Sequence, residues 1–129
     1  MVLAYSTALR NAKADATTTA VGNAGKLRIY NGARPASGGA ATTLLSEHTT
    51  GTPYAPAAAA GVLSPTLPAN VNASATGTAT WFRVTTSAGA FVADGDVAAS
   101  GSDLNLISTS ITSGQPVQIT GWTTTTGNP

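Results

Sequence analysis

Apolar and polar positions change rhythm near Lys26: helical spacing before it, alternation with a period of two after it. Ser6 is placed to cap a helix whose body runs from Thr7 to about Thr17 and carries the good formers Ala8, Leu9, Arg10, Ala12, Lys13, Ala14 and Ala16. Leu9, Ala12 or Lys13, Ala16 and Ala20 fall on one side, so the helix is expected to dock through Leu9 and this alanine stripe. The stripe is too narrow to hold a helix alone, and its order must come from a neighbour. Thr17, Thr18 and Thr19 lower the propensity, and Gly22-Asn23-Ala24-Gly25 ends the element.

Lys26-Leu27-Arg28-Ile29-Tyr30 sets Leu27 and Ile29 against Arg28 and Tyr30, with Asn31-Gly32 as a turn. A second strand is expected over Thr42 to Thr49. Between Gly51 and Asn72 the Pro, Ala and Gly content excludes a long helix and leaves short extended pieces at Val62-Leu63 and Leu67. Thr76 to Thr85 then alternates, with Thr78, Thr80, Phe82 and Val84 on one face and Ala79, Trp81, Arg83 and Thr85 on the other. Asp94-Gly95 is a residue pair favoured by two-residue hairpins, which predicts strands at Ala90–Ala93 and Asp96–Ala99 joined there. Leu104, Leu106 and Ile111 follow a turn at Ser100-Gly101-Ser102, and Val117 to Trp122 forms a last strand.

Seven or eight short strands with one short N-terminal helix predict an all-β fold, a β-sandwich or jelly-roll-like domain. The organisation expected is an arm and helix over residues 1–24, a β-domain over 25–122 and a flexible tail over 123–129.

Composition narrows the function more than the fold. The 129 residues include one His, no Cys and only 9% charged side chains, whereas nucleophilic, acid–base and metal-assisted chemistry all require such groups in numbers. No catalytic set, cofactor or metal site is expected. The six basic residues are scattered and the formal net charge is +1, which argues against a nucleic-acid partner and favours association, as a homo-oligomer or within an assembly. No apolar run reaches membrane-spanning length and no secretion signal is evident, so the chain reads as made in a cytoplasm with no membrane partner.

Three clusters invite a sharper reading. Ser46-Glu47-His48 places reactive types side by side, but adjacent strand residues face opposite ways, so adjacency yields no triad. Asp94, Asp96 and Asp103 supply carboxylates for a calcium ion, although their spacing is not that of a helical calcium loop. Trp81, Trp122 and Tyr54 are candidates for an aromatic platform. Trp81 and Phe82 point to opposite faces, so one of them needs cover from the helix, a subunit or a ligand. With few amides and carboxylates around the tryptophans, a protein contact is favoured over a sugar, and Leu9, Trp81, Arg83 and Trp122 are the expected interface residues.

The helix, then Lys26-Leu27-Arg28-Ile29-Tyr30-Asn31-Gly32-Ala33-Arg34-Pro35, then Thr78-Ala79-Thr80-Trp81-Phe82-Arg83-Val84, then Gly101-Ser102-Asp103-Leu104-Asn105-Leu106, together resemble a family of small virion proteins of tailed bacteriophages. The similarity spans about Leu9 to Trp122. It implies a non-catalytic place in the virion, as a capsid decoration or cement subunit whose partner is the major capsid protein or another virion protein. The alternatives are a tail or neck protein, or a glycan- or host-binding module.

Overall fold

The structure is a computed structural model and describes residues 4–125. Strands hold 39% of the residues and helix 12%, so the chain is mostly β with one N-terminal helix. The helix, α1 (Thr7–Val21), begins where expected: Ser6 accepts the Leu9 N–H at 3.2 Å. It outlasts the threonine run and stops at Gly22, whose φ of 70° suits a residue without a side chain.

The main sheet contains β1 (Lys26–Asn31), β2 (Leu44–Thr49), β5 (Gly77–Thr85), β6 (Phe91–Ala98), β7 (Leu104–Leu106) and β10 (Ile119–Trp122), in the order β10-β7-β6-β5-β1-β2. A further short strand, β8 (Ser110–Ile111), pairs with the start of β5. Two ribbons complete the set, β3 (Val62–Leu63) with β11 (Thr124–Thr125) and β4 (Val71–Asn72) with β9 (Pro116–Val117). Neighbours in the main sheet are antiparallel except β6 and β7, which run parallel with Val97 opposite Leu104. The sheet curls into a mixed half-barrel and is not clearly one layer of a sandwich.

Its inner face carries Leu27, Ile29, Phe82 and Val84, against which Leu45, Tyr54, Leu63, Leu104, Leu106, Ile119 and Trp122 pack as one cluster. Burying these side chains is the main favourable term in folding, at about 25 cal/mol for each Å² of apolar surface.

Two local expectations are corrected. Asp94-Gly95 is no turn, because β6 runs unbroken through it. A Cβ on Gly95 would sit 2.5 Å from the Phe82 ring, so this glycine is a strand position that lets a neighbouring ring lie against the backbone. The helix docks by another face: Ala14 and Val21 are buried while Leu9, Ala12, Lys13, Ala16 and Ala20 are exposed. Polar side chains decide this orientation. Asn11 Oδ1 accepts the Gly61 N–H at 2.8 Å, Asp15 Oδ1 accepts the Ala58 N–H at 2.7 Å, and Arg10 donates to the Ala60 carbonyl at 3.2 Å. Thr124 and Thr125, at the start of the expected tail, extend the last strand into a ribbon by pairing with Leu63 and Val62; residues 126–129, and Met1 to Leu3 of the arm, lie outside the described residues.

Candidate functional site

Six of the eleven charged residues meet in pairs in space. Arg28 faces Glu47 at 2.7 Å, Arg34 faces Asp96 at 3.2 Å and Arg83 faces Asp94 at 2.7 Å, all on the outer side of the half-barrel. The last pair is the most enclosed, with side-chain exposures of 12% and 4%. Its bonds are forked: Arg83 Nε donates to Asp94 Oδ1, and Nη2 donates to Oδ2 at 3.0 Å. These hydrogen bonds to Asp94 raise the guanidinium pKa further and keep Arg83 charged.

Around this pair the segment 32–43 forms a strap over the sheet. Arg83 Nη2 also donates to the Gly39 carbonyl at 2.8 Å, and the Gly38 N–H donates to Asp94 Oδ2 at 3.2 Å. Tyr30 and Trp81 are cross-strand partners whose rings stack at 4.4 Å and 16°. The Trp81 Nε1–H is shared between the Asn31 carbonyl at 3.1 Å and Thr42 Oγ1 at 3.0 Å. The Arg83 guanidinium lies 5.2 Å from the Trp81 ring centroid and 5.3 Å from that of Phe91, within cation–π range of both. A second small core, polar at its edges, therefore sits on the outer face.

Both faces of β5 are consequently covered by this chain itself. Trp81 is 0% exposed and Trp122 3%, so neither ring offers itself to a partner in this conformation, and the platform of Trp81, Trp122 and Tyr54 does not form. Trp122 meets Tyr54 and Phe82 edge-on, at 5.3 and 6.1 Å between centroids, inside the main core. Burial there pushes the Tyr54 phenol well above its ordinary range, so it stays neutral. Of the four residues expected at an interface, Leu9 alone presents a large apolar surface, at 45% exposure. Leu67, Phe91 and Ile107 join it as exposed large apolar side chains.

Ser46 and His48 share the inner face, and Glu47 the outer one with Arg28. Ser46 Oγ is 3.2 Å from His48 Nε2, and Nδ1 is 3.1 Å from the Ala69 carbonyl. The carbonyl can only accept, which assigns the ring proton to Nδ1 and makes Nε2 the acceptor of the serine hydroxyl. Burial pushes the imidazole pKa down against the opposing pull of the carbonyl. The geometry is that of a serine–histidine dyad, yet the two residues are 1% and 0% exposed; His48 ties Ala69 to β2, and Ser74 Oγ adds a bond to the Leu45 carbonyl. The alternation rule could have found this pair, because residues two apart in a strand share a face.

Asp94 and Asp96 bind arginines on the outer side, and no group of three His, Cys, Asp or Glu able to hold a metal ion occurs among the described residues. A groove of about 290 Å³ lies between Ile107–Thr112 and Gln115–Gln118, with the exposed Ile107 on its rim. Comparison with protein-family models, with curated proteins and with solved structures gives no match to this chain.

Proposed function

We propose that this chain is a non-catalytic structural subunit of a tailed-bacteriophage virion, a decoration or cement protein bound to the major capsid protein and to copies of itself. The observation that carries the reading is where the reactive side chains go. Four of the five acids, and the histidine, hold an arginine or the chain's own backbone in place: Glu47, Asp94 and Asp96 through ion pairs, Asp15 through the Ala58 N–H, and His48 through Ala69.

The blocks that resemble the virion family also support it. Lys26 to Pro35 and Thr78 to Val84 pair as β1 and β5, and Gly101 to Leu106 supplies β7 two strands away. The half-barrel with its two ribbons serves as an incomplete sandwich, whose short strands and exposed Leu9, Leu67, Phe91 and Ile107 offer small contacts of the kind a repeated lattice multiplies.

The test is to purify particles from the producing host, quantify this chain by peptide mass spectrometry and locate it by electron microscopy. Density for the half-barrel on the head shell at a fixed ratio to the major capsid protein is the expected result. Copies confined to the tail or neck would replace the decoration role, and absence from purified particles would overturn the proposal.

A further inference from the structure

Residues 66–70 form a bridge without regular secondary structure, and little holds it down. Thr66, Leu67, Ala69 and Asn70 are exposed, and Pro68 is half-buried. At one end the Thr66 N–H donates to the Tyr54 carbonyl at 3.1 Å; at the other, Val71 enters β4. Between those ends a single hydrogen bond ties the bridge among the described residues, from His48 Nδ1–H to the Ala69 carbonyl.

The ring beneath it is fully buried, and its other nitrogen accepts the Ser46 hydroxyl. No charged group accompanies it. On β1 its cross-strand partner is Leu27. On β2 the adjacent Glu47 is turned to Arg28 on the outer side, where Lys26 bonds Thr49. Residues 64–74 and β9 contain no titratable side chain, and the Tyr54 phenol stays neutral. A proton added to His48 would therefore make an imidazolium with no anion beside it, its Nε2–H facing the hydroxyl that had donated to it. The Ala69 carbonyl favours the charged ring, but burial opposes it more strongly. Water is the missing partner, and a bridge exposed on its outer side and tied by one bond is the part that can admit it.

We propose that His48 and residues 66–70 form an acid-released latch: uptake of a proton by the ring lifts the bridge from β2 while the half-barrel stays folded. Since β2 is an end strand of the main sheet, the opening uncovers Ser46 and His48 at the sheet's end. The chain has one His, so no other side chain has an ordinary pKa between about 5 and 8. In the open form the ring regains its ordinary value of 6.5. The closed form is thus fully favoured above that pH, and the open fraction rises by up to about tenfold per pH unit as the pH falls toward the lowered closed value. The latch is independent of the virion reading.

The experiment is a pH titration of the full-length ¹⁵N-labelled protein from about 8 to 5, with the imidazole nitrogens and the Ala69 and Asn70 amides followed by NMR. Hydrogen exchange, corrected for the intrinsic rate at each pH, is read at the Thr66 amide and at those of β1 and β5. Thr66 protection should fall by up to about tenfold per pH unit below 6.5, with β1 and β5 unchanged, and the Ala69 and Asn70 shifts should move with the midpoint of the ring. His48→Gln keeps a donor for the Ala69 carbonyl but gains no charge, and should hold Thr66 protection level across the range. The coincidence of ring and bridge midpoints tests the latch in the wild-type protein without any substitution. Thr66 protection independent of pH, an equal fall in β1 and β5, a pH response that persists in His48→Gln, or a ring that titrates with the bridge still closed would each overturn the proposal.

Discussion

Trp81 and Trp122 are both covered, on opposite faces of one curled sheet, and they are covered by different physics. Trp122 lies among apolar groups and meets Tyr54 and Phe82 edge-on, and its Nε1–H has no partner among the described residues. Trp81 is stacked on Tyr30, its N–H has two acceptors, and a charged pair and the 32–43 strap lie over it. The inner ring depends on volume, the outer ring on polar groups holding a loop. A sheet with so few large side chains can thus bury an indole on each face, provided one face uses ion pairs where bulk is missing.

The largest expected effect is at the inner ring. Trp122→Ala should cost about 3–5 kcal/mol, through lost transfer energy and a cavity that the rigid sheet cannot close. Chemical denaturation with a lowered midpoint checks it; a loss below about 1 kcal/mol would mean that the core is looser than its burial suggests. On the outer face, Arg83→Met should cost about 2–4 kcal/mol, because Asp94 remains enclosed without its cation and the strap loses its bond at Gly39. Tryptophan emission should also shift to the red as Trp81 becomes wet. A stable variant with unshifted emission would show that the strap holds without the charge.

Replacing each tryptophan by Phe separates the two kinds of cover more finely. Trp81→Phe removes the N–H shared by the Asn31 carbonyl and the Thr42 hydroxyl, which keep only their bond to each other, and should cost about 1–2 kcal/mol beyond the volume change. Trp122→Phe removes a donor that had no partner and should cost only the volume. Equal losses at the two positions would erase the distinction.

The pH dependence comes from the inner face. The folded state lowers the His48 pKa below its ordinary 6.5, so the unfolded chain takes up the proton first. Stability should be complete above the unfolded value and decline as the pH falls from about 7 toward the lowered folded value. His48→Gln should flatten that slope; a slope unchanged in the variant would place its origin elsewhere. Smallest of all is Arg28→Gln, since that pair is about one-third exposed and should be worth about 0–0.5 kcal/mol. A loss as large as that of Arg83→Met would show that outer-face charges act as a network.

Alternation made the sheet legible where one face is apolar, as in Lys26–Tyr30 and Thr76–Thr85. It stopped short where both faces are covered. Trp81 and Phe82 read as facing opposite ways, one of them in need of cover from the helix, a subunit or a ligand, and nothing local to the sequence showed that residues 32–43 fold back as that cover. Asp94-Gly95 carried a turn signal, but the requirement on Gly95 comes from Phe82 across the strand pair, a contact made by register alone. The helix was placed along the chain but not around its axis: apolar spacing weighed Leu9 and the alanines, while Arg10, Asn11 and Asp15 set the orientation through bonds to backbone some 43 to 50 positions away. Ser46 and His48 were dismissed for adjacency when the pairing lies two residues apart.

That clamp on α1 also sets the order in which the molecule can come apart. Among the described residues of the helix, Ala14 and Val21 are the buried apolar ones, and its ties to the 58–61 loop are two side-chain acceptors and one guanidinium. Such a helix opens as a unit at a free-energy cost below that of the sheet. Its amides should therefore exchange with solvent deuterium well before those of β1 and β5. Proteolytic nicking should begin there too, leaving the half-barrel intact while residues 58–61 become newly exposed.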